Sequence, residues 1–247
     1  MGKNNNPINI YWAIPSDETE SQDWSFLYPK PKTLFSELAQ DRSKQNPGFF
    51  SCPAVSEKMK KILVFKSPMD SSHSYNEESI TPNTEKFINA EIVRKPTIAN
   101  GPTISFSLYY FMFSEEPLNV YSTPPFFHEP KHTKFASVVP GEFDIGRWFR
   151  PFTFEVQTWN KEGRFELEEN EPMFYMEFKT DRPIILNRFI LTKKLRQYEQ
   201  AAINSRHMFK YFLPLNKKYE SFKNVGLREK ILTEIKKNLI EEDPYKF

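Results

Sequence analysis

Between Thr103 and Phe113, apolar and polar side chains alternate. Ile104, Phe106 and Leu108 fall on one side, and Ser105, Ser107 and Tyr109 on the other. A period of two over this length predicts a strand with one buried face. The same period returns at Phe152, Phe154 and Val156 against Thr153, Glu155 and Gln157, and again at Phe174, Met176 and Phe178. Shorter apolar runs at 62–66, 88–94, 118–121, 135–139, 164–167 and 184–191 extend the series, and Ile8, Ile10 and Trp12 alternate as a further short strand. Lys161-Glu162-Gly163 reads as a turn, after which 164–167 runs back along the preceding strand. Glu171-Pro172 and Asp181-Arg182-Pro183 make further turns, where a missing N–H costs nothing. This spacing predicts an antiparallel meander closed as a sandwich or barrel.

After Leu191 the period changes. Leu191, Leu195, Tyr198, Ala202, Phe209 and Phe212 step by three and four, which predicts an amphipathic helix ended near Pro214. Its apolar face is expected on the β core, with Lys193, Lys194 and Arg196 toward water. A second helix is predicted over 225–240, with Leu227, Ile231, Ile235 and Leu239 on one face and Pro244 just beyond. Strands first and helices last give an α+β chain: an antiparallel, jelly-roll-like β-sandwich with C-terminal helices. A single domain is expected over 1–247, with an irregular arm at 7–53, a β core at 54–191 and a helical segment at 192–247. Residues 33–39 and 56–61 suit short helices. Residues 70–85, rich in Ser, Asn and Glu, read as a mobile loop.

Composition shows how such a core is filled. Phe supplies 24 residues and aromatics 16%, so much apolar area is available despite a mean hydropathy of −0.63. Twenty prolines against 7 glycines favour ordered connections. The net charge of +2 points to no nucleic-acid or membrane partner. Its distribution is uneven: 184–247 carries 14 Lys+Arg against 7 Asp+Glu. That hints at an anionic small molecule or a protein partner, though a Lys-rich helical surface is the favoured explanation. A lone cysteine, Cys52, forms no internal disulfide, which suits a reducing cytoplasm. It reads as a small buried residue. No apolar run approaches the roughly 20 residues of a membrane span, and the start of the chain lacks the apolar stretch of a signal peptide.

No Gly-rich phosphate loop, Gly-x-Ser-x-Gly elbow or paired Cys-x-x-Cys occurs. Two patches remain. His128 and His132, with Glu142 and Asp144 downstream, hold the residue types of a non-heme iron site, and such sites occur in jelly-roll barrels. Neither a His-x-Asp/Glu nor a His-x-His pair is present, so solvated loop histidines are the competing reading. The second patch is Arg147-Trp148-Phe149-Arg150-Pro151, where two guanidiniums flank aromatics that could grip an anion; the favoured competing reading has Trp148 and Phe149 anchor the loop while the arginines pair with Glu142, Asp144 or Glu155. Pro140 and Pro151 bracket this loop, and Phe143, Ile145, Trp148 and Phe149 give it apolar anchors. An ordered loop is expected, in which one arginine pairs with Glu142 or Asp144 and the other faces a groove.

Three segments also carry a resemblance. They are Ser51-Cys52-Pro53-Ala54-Val55 leading to Val64-Phe65-Lys66-Ser67-Pro68-Met69-Asp70, then Gly141-Glu142-Phe143-Asp144-Ile145-Gly146-Arg147-Trp148-Phe149-Arg150-Pro151, and Asn170-Glu171-Pro172-Met173-Phe174-Tyr175. Together they resemble proteins encoded by marine tailed phages of the T4 type, a family with no established activity. The resemblance implies a viral origin and a place in the host cytoplasm or the virion, and assigns no functional residue. The expected function is that of an accessory or binding protein without an evident catalytic site. A jelly-roll oxygenase with iron at His128 and His132, and a virion component, are the alternatives.

Overall fold

The computed structural model describes residues 6–14, 27–40, 50–85, 88–95, 101–204, 217, 219–220, 222, 226–240 and 245–247. Its strands are β1 (Ile8–Ala13), β2 (Lys32–Thr33), β3 (Ile62–Lys66), β4 (Ser71–Tyr75), β5 (Ile80–Pro82), β6 (Ala90–Arg94), β7 (Thr103–Ser114), β8 (Asn119–Thr123), β9 (Ala136–Val138), β10 (Gly141–Asp144), β11 (Pro151–Thr158), β12 (Gly163–Leu167), β13 (Pro172–Phe178), β14 (Ile184–Arg188) and β15 (Tyr245–Lys246). Helices are α1 (Leu34–Gln40), α2 (Pro53–Lys60), α3 (Lys193–Asn204) and α4 (Leu227–Lys237).

Two sheets face each other across an aromatic core. The first runs β15-β14-β1-β7-β11-β9, with β6 also on β7; the second runs β10-β8-β13-β3-β2. Phe106 and Phe154 of the first meet Phe65 and Phe174 of the second in one buried cluster. A small third sheet, β12-β4-β5, adds Phe165 and Leu167 to that cluster. The antiparallel sandwich with C-terminal helices is therefore formed, with a parallel pairing of β1 on β14. Phe154, Val156, Phe174, Met176 and Phe178 are all buried as their period demands. They lie on strands that face one another rather than on hydrogen-bonded neighbours.

The meander is not how the chain is wired. From β7 to β14 no strand pairs with its successor. The chain alternates between the facing sheets, as in a jelly roll, with β12 set in the third sheet. Residues 163–167 do not run back on β11; they pair with β4. The expected mobile loop at 70–85 contains β4 and β5, paired as a hairpin, with Ser71, Ser72 and His73 buried. Its polarity misleads because its backbone is satisfied by β12 and His73 is capped by the Ile88 carbonyl, 3.0 Å from Nε2.

Both sheets carry helices on their outer faces. In the last turns of β7, Tyr110 and Met112 point into the inter-sheet core. Phe111 and Phe113 point the other way, against Leu195, Ile231 and Ile235 of α3 and α4. A strand buried on both faces reads as a continuous apolar run, which is why alternation fades after Leu108. On the second sheet, Ile62, Val64 and Tyr175 pack under Leu34, Leu38 and Met59 of α1 and α2. The 7–53 arm is thus not wholly irregular: β1 sits between β14 and β7, and α1 covers a sheet. In α4, Leu227, Ile231 and Ile235 are buried as expected, whereas Leu239 lies past the helix end and is exposed. Lys193 and Lys194 face water; Arg196 instead lies over the Phe111 ring. Phe209, Phe212 and Pro214 lie outside the described residues.

Glu115 ties this assembly together. Its carboxylate accepts hydrogen bonds from Asn9 and Tyr11 of β1 and pairs with Lys236 of α4 at 2.7 Å. Burial alone would raise its pKa. The bonds from Lys236, Tyr11 and Asn9, and the Lys236 charge, outweigh burial and push it down from 4.5 to about 2. A carboxyl with a depressed folded pKa contributes stability that is complete above its unfolded pKa and lost as pH falls through the folded one. Between pH 4.5 and 2, the urea midpoint of the native chain is therefore expected to fall more steeply than that of Glu115→Gln. Identical acid profiles would contradict this role.

Candidate functional site

The Gly141–Pro151 loop is ordered by its own residues. Asp144 is buried; its Oδ1 accepts from the backbone N–H of Leu118 at 3.0 Å and of Gly146 at 2.8 Å. Its Oδ2 accepts from Arg147 Nε at 2.7 Å. Gly146 passes so near the Glu116 carbonyl that a Cβ would lie 2.3 Å from its oxygen, so no larger residue fits there. Ile145 enters the inter-sheet core and Phe149 the helix-side core, so the loop is anchored on both sides of the first sheet. The C-terminal segment grips it as well: the Asp144 N–H donates to Tyr219 Oη, Arg147 lies over the Tyr219 ring, and Arg228 donates to the Gly146 carbonyl.

The two arginines divide as the loop chemistry suggests, with one amendment. Arg147 is the partner of Asp144; Glu142 is exposed and accepts from Asn119 instead. Arg150 lines a cavity, but it is itself buried, donating from Nη2 to the Ala202 carbonyl at 2.9 Å and stacking 4.5 Å over Trp148. Its role in holding α3 means that it is not a purely solvent-side residue.

That cavity holds about 430 Å³ and lies beside the first residues of β11. β9 covers β11 only from Val156 onward, which leaves the 151–154 edge unpaired by β9. Phe152 and Phe154 form one wall, Phe174 and Met176 the opposite wall, and Trp148 and Arg150 stand among its lining. Sequence reasoning found the Trp148–Arg150 part because it is contiguous. It missed the walls, which come from strands that look like plain core.

The histidines are not brought together. His128 is half-buried, with Nδ1 against Tyr175 Oη at 2.5 Å. Tyr175 belongs to the cluster under α1 and α2, on the outer side of the second sheet. His132 sits in the 3-10 turn Lys131–Lys134 and is fully buried on the inner side, edge-on to Phe154. Neither of its ring nitrogens has a hydrogen-bond partner among the described residues, and Glu171 Oε2 is 4.0 Å from Nδ1. Glu142 and Asp144 belong to β10, with Asp144 committed to Arg147. Among the described residues no group of three His, Cys, Asp or Glu side chains could hold a metal ion. Cys52, read as buried, is exposed at the start of α2. No described helix is long and apolar enough to cross a membrane.

Comparison with protein families, curated proteins and solved structures finds no match.

Proposed function

We propose that this chain is a phage-type accessory protein that works by binding, and that its ligand enters the opening between the two sheets beside Trp148 and Arg150. The observation that carries this reading is the cavity itself. Aromatic walls with a few convergent polar groups are the usual make-up of a small-molecule site. Here Phe152, Phe154, Phe174 and Met176 supply apolar walls, Ser122 a hydroxyl and Arg150 a cation. A flat, mainly apolar molecule suits the walls, and an acid group suits the guanidinium. Two of the segments that resemble phage proteins, Gly141–Pro151 and Asn170–Tyr175, contribute to these walls. The oxygenase reading loses its support once His128 and His132 fall on opposite sides of the second sheet.

Titration with naphthoate tests the proposal. Saturable binding with a dissociation constant below about 1 mM is expected. It should be lost in Ser122→Phe, which fills the cavity from the β8 side. It should be weaker for uncharged naphthylmethanol. Absence of saturable binding, or binding indifferent to Ser122→Phe, overturns the reading.

A further inference from the structure

Among the described residues, the C-terminal helices cover only part of the first sheet. Over the other part, the outer side chains of β6, β7, β11 and β9 form a regular array. Register places Glu91, Ser105 and Glu155 in one cross-strand row, and Thr103, Gln157 and Ser137 in the next. Thr103, Ser105 and Ser107 are short, so β7 forms a floor between taller neighbours. Above it lies a trough of about 620 Å³, with Val93, Glu155 and Trp159 among its walls. Trp159 is 46% exposed, and its indole extends the line of outward residues that ends β11.

The trough does not end there. Val93, Val138, Val139, Pro140 and Glu155 line both it and the inter-sheet cavity. A continuous path thus follows β11, with Trp159 at one end and Trp148 at the other. At about 3.3 Å per residue, the span from 151 to 159 is roughly 26 Å. It is too long for one small molecule and suits a short polymer.

The lining chemistry selects among polymers. Glu91 and Glu155 balance the charges of Arg94 and Arg150, so the path carries no excess of positive charge to hold a polyphosphate. A peptide adding as a strand needs a free sheet edge; the β11 edge is open at 151–154 but taken by β9 at Val156–Thr158, so a strand could add along only part of the path, which otherwise runs along a face. What remains is an uncharged chain of rings bearing hydroxyls. Indole faces take the C–H sides of sugar rings, while carboxylates and hydroxyls bond their OH groups. The array is also rigid in advance. Gln157 accepts from Thr103 Oγ1 at 2.8 Å and donates to the Gly101 carbonyl at 2.8 Å, and Thr153 donates to Glu155. Side chains already held lose little entropy on binding.

We infer that this trough is a binding site for an extended neutral oligosaccharide, with Trp159 stacking on a sugar ring at one end, the Trp148–Arg150 pair closing the other, and Glu155 accepting hydroxyl hydrogen bonds between them. The inference rests on the reading of the chain as a binding protein and names the class of its larger ligand.

The test titrates the full chain with neutral hexasaccharides of glucose and of N-acetylglucosamine, in α and β linkages, and with a heparin hexasaccharide as the polyanionic arm. At least one neutral sugar should bind and change tryptophan fluorescence. Trp159→Ala should weaken it at least tenfold with thermal stability unchanged, because the ring is half exposed. Ser137→Tyr, which fills the trough and leaves both tryptophans in the chain, should do the same. Binding of heparin alone, binding of no sugar, or sugar binding indifferent to both variants each overturns the inference. If naphthoate still binds while no sugar does, the oligosaccharide inference fails and the binding reading stands; if neither binds, both fail.

Discussion

Phe154→Ala is expected to lower the unfolding free energy by about 3–5 kcal/mol. Phe154 is 1% exposed and stands where all three sheets converge. Its ring lies 5.8 Å from Phe106 on the neighbouring strand β7, 6.1 Å from Phe174 across the sandwich and 6.4 Å from Phe165 of the third sheet. His132 packs edge-on at 5.3 Å. These neighbours come from four different elements, so no single shift can refill the space and a cavity persists. Urea denaturation should show a lower midpoint with an unchanged slope. Thr153→Ala, one residue earlier on the exposed face, should change stability by less than about 0.5 kcal/mol. A Phe154 loss below about 1 kcal/mol would mean that the sheets are not joined through this cluster.

Asp144→Ala is expected to cost about 3–5 kcal/mol, as much as the core phenylalanine, although it removes only a small side chain. Deleting the carboxylate strips acceptors from the Leu118 and Gly146 N–H groups, which are buried with it. It also leaves Arg147 without its partner. Asp144→Asn keeps one oxygen for the backbone donors and should recover a large part of the loss. Arg147→Ala should cost less, because that guanidinium is 40% exposed and water screens its pairing. If Arg147→Ala and Asp144→Ala proved equally costly, the ion pair rather than the backbone bonds would be holding the loop. Because Trp148 and Arg150 follow directly in sequence, Asp144→Ala should also weaken naphthoate binding.

The contrast between these two residues bears on what could be read without coordinates. Phe154 announces itself, since a Phe-x-Phe-x-Val alternation leaves little doubt about its side of the strand. Asp144 does not. Its candidacy as an arginine partner rested on nearness in sequence, and its bond from the Leu118 N–H depends on β8 approaching β10 in space, whereas that from Gly146 is local. Cys52 shows the reverse failure. A cysteine is most often buried, but Pro53 starts α2 there and leaves the residue outside the helix, on the surface.

Local sequence determined which side of the clearly periodic elements is buried. Alternation placed Phe106, Phe154 and Met176 inward and Ser105, Glu155 and Gln157 outward, and the three-four spacing placed Ile231 and Ile235 against the sheet. Such periods follow from backbone geometry within one element, so they need no knowledge of the rest of the fold. Which strands pair was decided only by the tertiary structure. Many strands here offer a similar Phe-rich face, so partners of comparable apolar area are interchangeable as far as sequence pattern goes. The same holds for everything assembled between elements: the alternation between facing sheets, the burial of His132 away from His128, and the trough from Trp159 to Trp148. Each is a property of register and distance between segments far apart in the chain, and a residue's own neighbours in sequence carry no record of either.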